Sequence, residues 1–154
     1  MPKFPKKEIQ KALDRYHEIR DKAESGKIGW EALADVFTED ATYIDAVWGR
    51  SVGREKIRKF LHDSMQGLDD WSFPIEWTMI GDNRVVIKFY NRLPGRRPNG
   101  TFYEVPGISI LEYAGNGKLS LEHDLYDVAH LMEVVKESGW KPGPNVISPK
   151  KVVR

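Results

Sequence analysis

"ATYIDAVWG", residues 41–49, is the stretch on which the reading of this chain turns. It alternates and is β-branched, so it reads as a strand. Asp45 nevertheless falls where that strand heads into a core, with Tyr43 and Trp48 on either side. A carboxylate so placed either ends the strand by bonding the next turn, or lines a small-molecule pocket as an acid or base.

Helical spacing lies on both sides of this strand. Ile9, Ala12, Leu13, Tyr16, Ile19 and Ala23 predict an amphipathic helix over 8–24. "SGKIG" (25–29) breaks it, and Trp30, Leu33, Ala34 and Phe37 predict a short second helix. A third, over 52–65, buries Ile57, Phe60, Leu61 and Met65. The period then changes to two. Residues 71–80 alternate through Trp71, Phe73, Ile75, Trp77 and Met79, with Pro74 marking the start of an edge strand. Strands over 84–93, 101–113 and 119–127 follow, joined by a basic loop (94–100) and the turn "AGNGK". Residues 128–138 predict a short helix stopped by Gly139, and the Pro- and Lys-rich stretch after it is expected to lie over the surface or to move. Three helices followed by an antiparallel meander make an α+β domain.

Neither face of the last three strands is plainly polar. One carries Val85, Ile87, Phe89, Ile108, Ile110, Leu121 and Leu125; the other carries Val86, Lys88, Tyr90, Val105, Gly107, Ser109, Leu111, Glu122, Asp124 and Tyr126. Both faces are therefore expected to be covered, one by helices and the other by a second copy of the chain, giving a homodimer through the outer sheet face. The 24 Lys and Arg balance 23 Asp and Glu, which gives no charge signal for nucleic acid. There is no cysteine, so thiolate chemistry is excluded. No apolar run approaches a membrane span, and "MPKFPKKEIQ" lacks the apolar centre of a signal peptide, so a cytoplasmic location is expected. The four histidines, at 17, 62, 123 and 130, show no metal-ligand spacing, and neither metal nor cofactor is expected.

"FTEDATYIDAVWG", "GREKIRKFL" and "AGNGKLSLEHDLYDVAHLMEVV" resemble the nuclear transport factor two-like superfamily, most closely its SnoaL-like branch, over residues 8 to 135. That superfamily also holds ketosteroid isomerases, limonene-epoxide hydrolases and scytalone dehydratases. The resemblance implies a cystatin-like α+β barrel, in which a cone-shaped curled antiparallel sheet is wrapped by three N-terminal helices and dimerises through its outer face. It implies one SnoaL-like domain over 1–138 and a C-terminal tail over 139–154.

The resemblance also assigns roles. Asp45 matches the general base of the isomerases, and a carboxylate among aromatic side chains gains basicity as it loses hydration. Tyr16 matches their oxyanion-hole tyrosine; on the residues alone it reads as a core aromatic. Ser109 stands near the position of their protonated aspartic acid. Asp124 matches a catalytic aspartate of the limonene-epoxide hydrolases, but Val86 and Lys88 occupy the positions of that family's remaining Asp–Arg set. Lys88 on a pocket face needs an anionic partner, and Asp124 is the expected one. Tyr43, Trp48, Tyr90, Ser109 and His62 are the expected substrate contacts. The leading expectation is a cofactor-free acid–base enzyme acting on a small, largely apolar molecule, of isomerase, dehydratase (lyase) or polyketide-cyclase type. The alternatives are an epoxide hydrolase and a non-catalytic domain that binds a hydrophobic small molecule.

Overall fold

The computed structural model describes residues 3–150 and 152–154. Helix α1 (Lys6–Glu24) is followed by a 3-10 segment (Trp30–Val36), strands β1 (Phe37–Asp45) and β2 (Gly49–Val52), and helix α2 (Arg54–Met65). Strands β3 (Ile75–Gly81), β4 (Arg84–Arg96), β5 (Phe102–Gly115) and β6 (Lys118–Tyr126) lead to helix α3 (Val128–Ser138). The six strands form one open sheet in the order β2-β1-β6-β5-β4-β3. Its pairs are antiparallel except β1 with β6, which run parallel. The α+β class and the curled sheet agree with the sequence reading. Strand β2 and the parallel pair are additions to it, and Phe37 opens β1 instead of closing a helix.

Hydrophobic spacing explains which faces meet. Ile9, Leu13 and Tyr16 of α1, and Ile57 and Leu61 of α2, are buried against Val85, Ile87, Leu111 and Tyr113 on the concave side of the sheet. A second cluster joins Trp71, Leu93, Val105, Leu131 and Val134, with Trp140 packed against it. Asp127 caps α3 by accepting a hydrogen bond from the His130 amide at 3.0 Å, and Gly139 ends it in the left-handed conformation at φ 74°.

The register corrects one strand of the face assignment. Cross-strand partners share a face. Ile87 pairs with Ser109 and Ser109 with Asp124, so these three lie on the concave side. Trp77, Lys88, Ile108 and Leu125 form one row of the convex side. Strands β5 and β6 are oriented as expected, whereas β4 is turned over: Ile87 and Phe89 point inward, and Lys88 and Tyr90 outward. A one-residue change of parity moves every side chain of a strand to the other face.

The segment after α3, expected over the surface, is mostly exposed and also borders the cavity, which it lines with Trp140, Pro142, Val146 and Ile147; it acts as a strap. Trp140 meets Trp71 edge to face at 5.3 Å and donates from its indole N–H to Asp70 at 3.1 Å. Further on, the Arg50 amide donates to the Val153 carbonyl at 2.5 Å, and Arg154 Nη1 to the Ala46 carbonyl at 3.0 Å. Gly49, at φ 76°, permits this approach: a Cβ there would collide with the backbone of Val153. Trp140→Ala is expected to lower stability by about 1–2 kcal/mol, the scale of an aromatic pair and the area it buries. Urea unfolding followed by tryptophan fluorescence measures this, and an unchanged midpoint would show that the strap is not docked.

Candidate active site

The concave face of the sheet, α2, α3 and the strap line a cavity of about 450 Å³ that opens to the surface. Its walls are mostly apolar and aromatic, with Trp48, Phe60, Trp71, Phe89, Leu131 and Trp140 among them. The acidic side chains that line it are Asp45 and Asp124. Gly107 makes room for the Phe89 ring: a Cβ there would stand 2.6 Å from Cζ of Phe89.

Asp45 caps the turn that follows it and also lines the cavity. Its Oδ1 accepts the amides of Val47 and Trp48, each at 2.8 Å, and so caps the turn between β1 and β2. The residue is also a wall of the cavity. Tyr126 Oη lies 3.1 Å from Oδ2. Burial, and then the negative Asp124, raise the Asp45 carboxyl above its ordinary range, while the two amides and Tyr126 oppose the shift. The result is a carboxylate more basic than usual with one oxygen lightly engaged.

Asp124 is held differently. Ser109 donates to its Oδ1 at 2.5 Å and Tyr43 to its Oδ2 at 2.6 Å. Behind it, wholly buried, lies Glu122. Tyr16 donates to Glu122 Oε1 at 2.7 Å, Arg20 Nη1 donates to Tyr16 Oη at 3.1 Å, and Tyr43 Oη is 3.1 Å from the same Glu122 oxygen. Glu122 Oε2 is buried with no partner among the described residues. A bare carboxylate oxygen in such a place is costly, whereas the carbonyl of a neutral acid is far less so. Burial and the neighbouring Asp124 charge both push Glu122 well above the usual carboxyl range; burial raises Asp124 too, but its bonds from Ser109 and Tyr43 oppose that shift, so Glu122 is the member better suited to hold the proton. The phenols of Tyr16, Tyr43 and Tyr126 are raised, first by burial and then by the neighbouring acids, and remain hydrogen-bond donors.

The structure thus gathers Asp45, Asp124, Tyr43 and Trp48 at one cavity, with Ser109 behind Asp124. The expected Lys88–Asp124 pair does not form. Lys88 sits on the convex face, 3.0 Å from Glu76, and Tyr90 donates to the same Glu76 at 3.0 Å. Tyr16 lies behind the cavity wall, its hydroxyl committed to Glu122. His62 is outside the cavity, 3.1 Å from Asp63. Arg20, Asn91, Trp71 and Tyr126 also line the cavity. Arg20 follows Tyr16 by one helical turn, a spacing that carries the signal. Asn91 shares its parity with Ile87 and Phe89, and so went with the overturned strand. Trp71 Nε1 and Asn91 Nδ2 are buried without partners among the described residues.

Comparison with known proteins accords with this geometry. Residues 20–121 match the SnoaL-like domain, and the chain belongs to that family. A SnoaL-like polyketide cyclase, so assigned, from Jannaschia Sp. CCS1 superposes with a TM-score of 0.64 at 15% identity, over 88% of this chain and 96% of that one. A Catenulispora acidiphila protein of ketosteroid isomerase-like fold, bound to trimethylamine, gives 0.60 at 22% identity over 82% and 97%. An epoxide hydrolase from M. tuberculosis, resembling the limonene-epoxide type, gives 0.58 at 16% identity over 80% and 88%. Comparison of the sequence with curated proteins gives no match.

The buried acid has a stability signature. Unfolded, Glu122 titrates near its ordinary value of 4.5; folded, it holds its proton to higher pH. Between those values the unfolded chain binds fewer protons, so stability falls as pH rises. Glu122→Gln keeps the shape and removes the titration. Its stability relative to wild type should therefore increase from pH 4.5 upward, as read by urea unfolding across the range. A difference that stays flat with pH would mean that Glu122 is ionised in the folded protein.

Proposed function

We propose that this protein is a cofactor-free acid–base enzyme acting on a small, largely apolar molecule, by isomerase, dehydratase or cyclase-like chemistry. The observation that carries this reading is the pairing of two unlike carboxylates on one apolar cavity. Asp45 is the base: desolvation has made it more basic, and its Oδ2 is lightly engaged. It would remove a proton beside a carbonyl or a leaving group. Asp124, gripped by Ser109 and Tyr43, is the second proton-transfer group: once it has taken up a proton, it gives that proton to substrate oxygen or carbon. Arg20, which lines the cavity and gives only one N–H to Tyr16, supplies a donor for negative charge that develops in the reaction. Trp48, Phe60, Phe89 and Trp140 hold the apolar body of the substrate and exclude water. Epoxide opening is the second reading, favoured by the place of Asp124 on the wall and by the likeness to the M. tuberculosis hydrolase; water activated at Asp124 would attack the ring.

A panel of steroid enones, polyketide-like phenols and terpene epoxides tests this. Product formation separates an enzyme from a binder, and incorporation of labelled water separates hydrolysis from isomerisation or cyclisation. Asp45→Asn should lose at least about 100-fold in kcat, the scale of a general base, with folding intact. In wild type, kcat/KM should rise with pH through the elevated Asp45 titration. Tyr126→Phe removes a bond that favours the carboxylate, so this rising limb should move to higher pH. Full activity in Asp45→Asn, or a limb that moves down in Tyr126→Phe, would refute the assignment.

A second copy of the chain is the proposed cover for the convex face, where Trp77 is 42% and Met79 63% exposed beside Ile108, Ile110 and Leu125. The charged double variant Ile108→Lys with Leu125→Glu should sediment as a monomer and wild type as a dimer. A monomeric wild type at high concentration would sink the proposal.

A further inference from the structure

We propose that Glu122 is a buried proton store that exchanges its proton with Asp124 through the hydroxyl of Tyr43. The inference rests on the acid–base role of Asp124 given above. Its basis is the connectivity of five groups. Tyr43 Oη stands between the acids, 3.1 Å from Glu122 Oε1 and 2.6 Å from Asp124 Oδ2. A phenol has one proton to give, so it can donate to only one of them. If Tyr43 donates to Asp124, its oxygen is free to accept from a proton on Glu122 Oε1. If it donates to Glu122, its oxygen accepts from a proton on Asp124 Oδ2. Both arrangements satisfy every donor along the chain Arg20–Tyr16–Glu122–Tyr43–Asp124. They differ by a concerted shift of two protons and need no rearrangement of heavy atoms.

The resting placement follows from what each acid has around it. Asp124 has a donor on each oxygen, Ser109 on Oδ1 and Tyr43 on Oδ2, and is suited to carry charge. Glu122 has an unpartnered, wholly buried Oε2 and is not. The proton therefore rests on Glu122. In the shift, the O–H bond of Glu122 breaks as one forms at Tyr43 Oη, and the original Tyr43 O–H breaks as one forms at Asp124 Oδ2. Glu122 becomes a carboxylate, Asp124 a carboxylic acid at the cavity wall, Tyr43 is unchanged, and net charge is conserved. Arg20, bonded to Tyr16, is the cation nearest the transient Glu122 charge along this chain. Once Asp124 has delivered its proton to the substrate, a proton taken up from the cavity returns to Glu122 by the reverse route.

Infrared difference spectroscopy on the substrate-free protein at pH 7 reads the store directly. Wild type should show the carbonyl band of a protonated, buried carboxyl. Glu122→Gln should lack it. Tyr43→Phe should keep it at a higher frequency, because the acid has lost its acceptor. With an active substrate, both variants should lower kcat by about 100-fold with KM little changed. The proposal is overturned if wild type lacks the band, if Glu122→Gln retains it, if Tyr43→Phe leaves it unmoved, or if kcat is unaffected. If Glu122→Gln fails to fold, Tyr43→Phe alone decides, through the frequency and kcat. Asp45→Asn separates the two claims: an inactive Asp45→Asn beside a fully active Tyr43→Phe leaves the enzyme reading standing and removes the relay.

Discussion

The burial of Glu122 is the constraint on which this structure depends. A carboxyl at the centre of the sheet with one bare oxygen is tolerable only as a neutral acid whose other oxygen is satisfied. Tyr16 from α1 and Tyr43 from β1 converge on that oxygen, and Ser109 from β5 holds the neighbouring Asp124 on β6. Four elements are thus fixed in register by one buried polar group. The apolar packing of α1 and α2 on the sheet brings these elements together, but apolar contact is adaptable. The hydrogen-bonded set is not, and it sets the spacing between the two cavity acids.

Helices, strands and the curled architecture were legible because hydrophobic period separates them cleanly. The role of Asp45 was legible in outline: a carboxylate at a strand end beside aromatics can cap a turn or line a pocket, and here one oxygen does the first while the residue does the second. Strand β4 was not legible. Val85, Ile87 and Phe89 alternate with Val86, Lys88 and Tyr90, and either set can face a core, because Lys88 and Tyr90 bury their stems and present their tips to Glu76. Only the pairing of Lys88 with Ile108 and Trp77 decides the matter, and pairing is a long-range property. The helical spacing of Arg20 from Tyr16 was legible, but that Tyr16 bonds Glu122, 106 residues away, was not. The exposure of the strap was legible in its Pro, Gly and Lys; that Trp140, Pro142 and Ile147 also border the cavity was not.

The neighbours in fold space share the cone and divide over chemistry, as expected of an architecture that supplies a dry pocket and leaves its lining free to vary. In this chain the lining is set by parity. Every second residue of β5 and β6 faces the cone, which places Ser109, Glu122, Asp124 and Tyr126 inside without any local sequence signature.

The parallel pairing of β1 with β6 has a kinetic side. Tyr43 and Glu122, register partners, are 79 residues apart along the chain. Strands β3 to β6 form a meander that closes through short turns, whereas β1 must wait for the last strand to be in place. Loop closure of that span is the largest entropic step in assembling the sheet. The β3–β6 hairpins are therefore expected to organise first, with β1 docking onto β6 afterwards. It carries Tyr43 and Asp45 into the cone together, so the second cavity carboxylate, and the hydroxyl between the buried acids, join Asp124 in one step. Until then the edge of β6 is open to any other extended segment, and the speed with which β1 arrives governs how long the chain is exposed to mispairing.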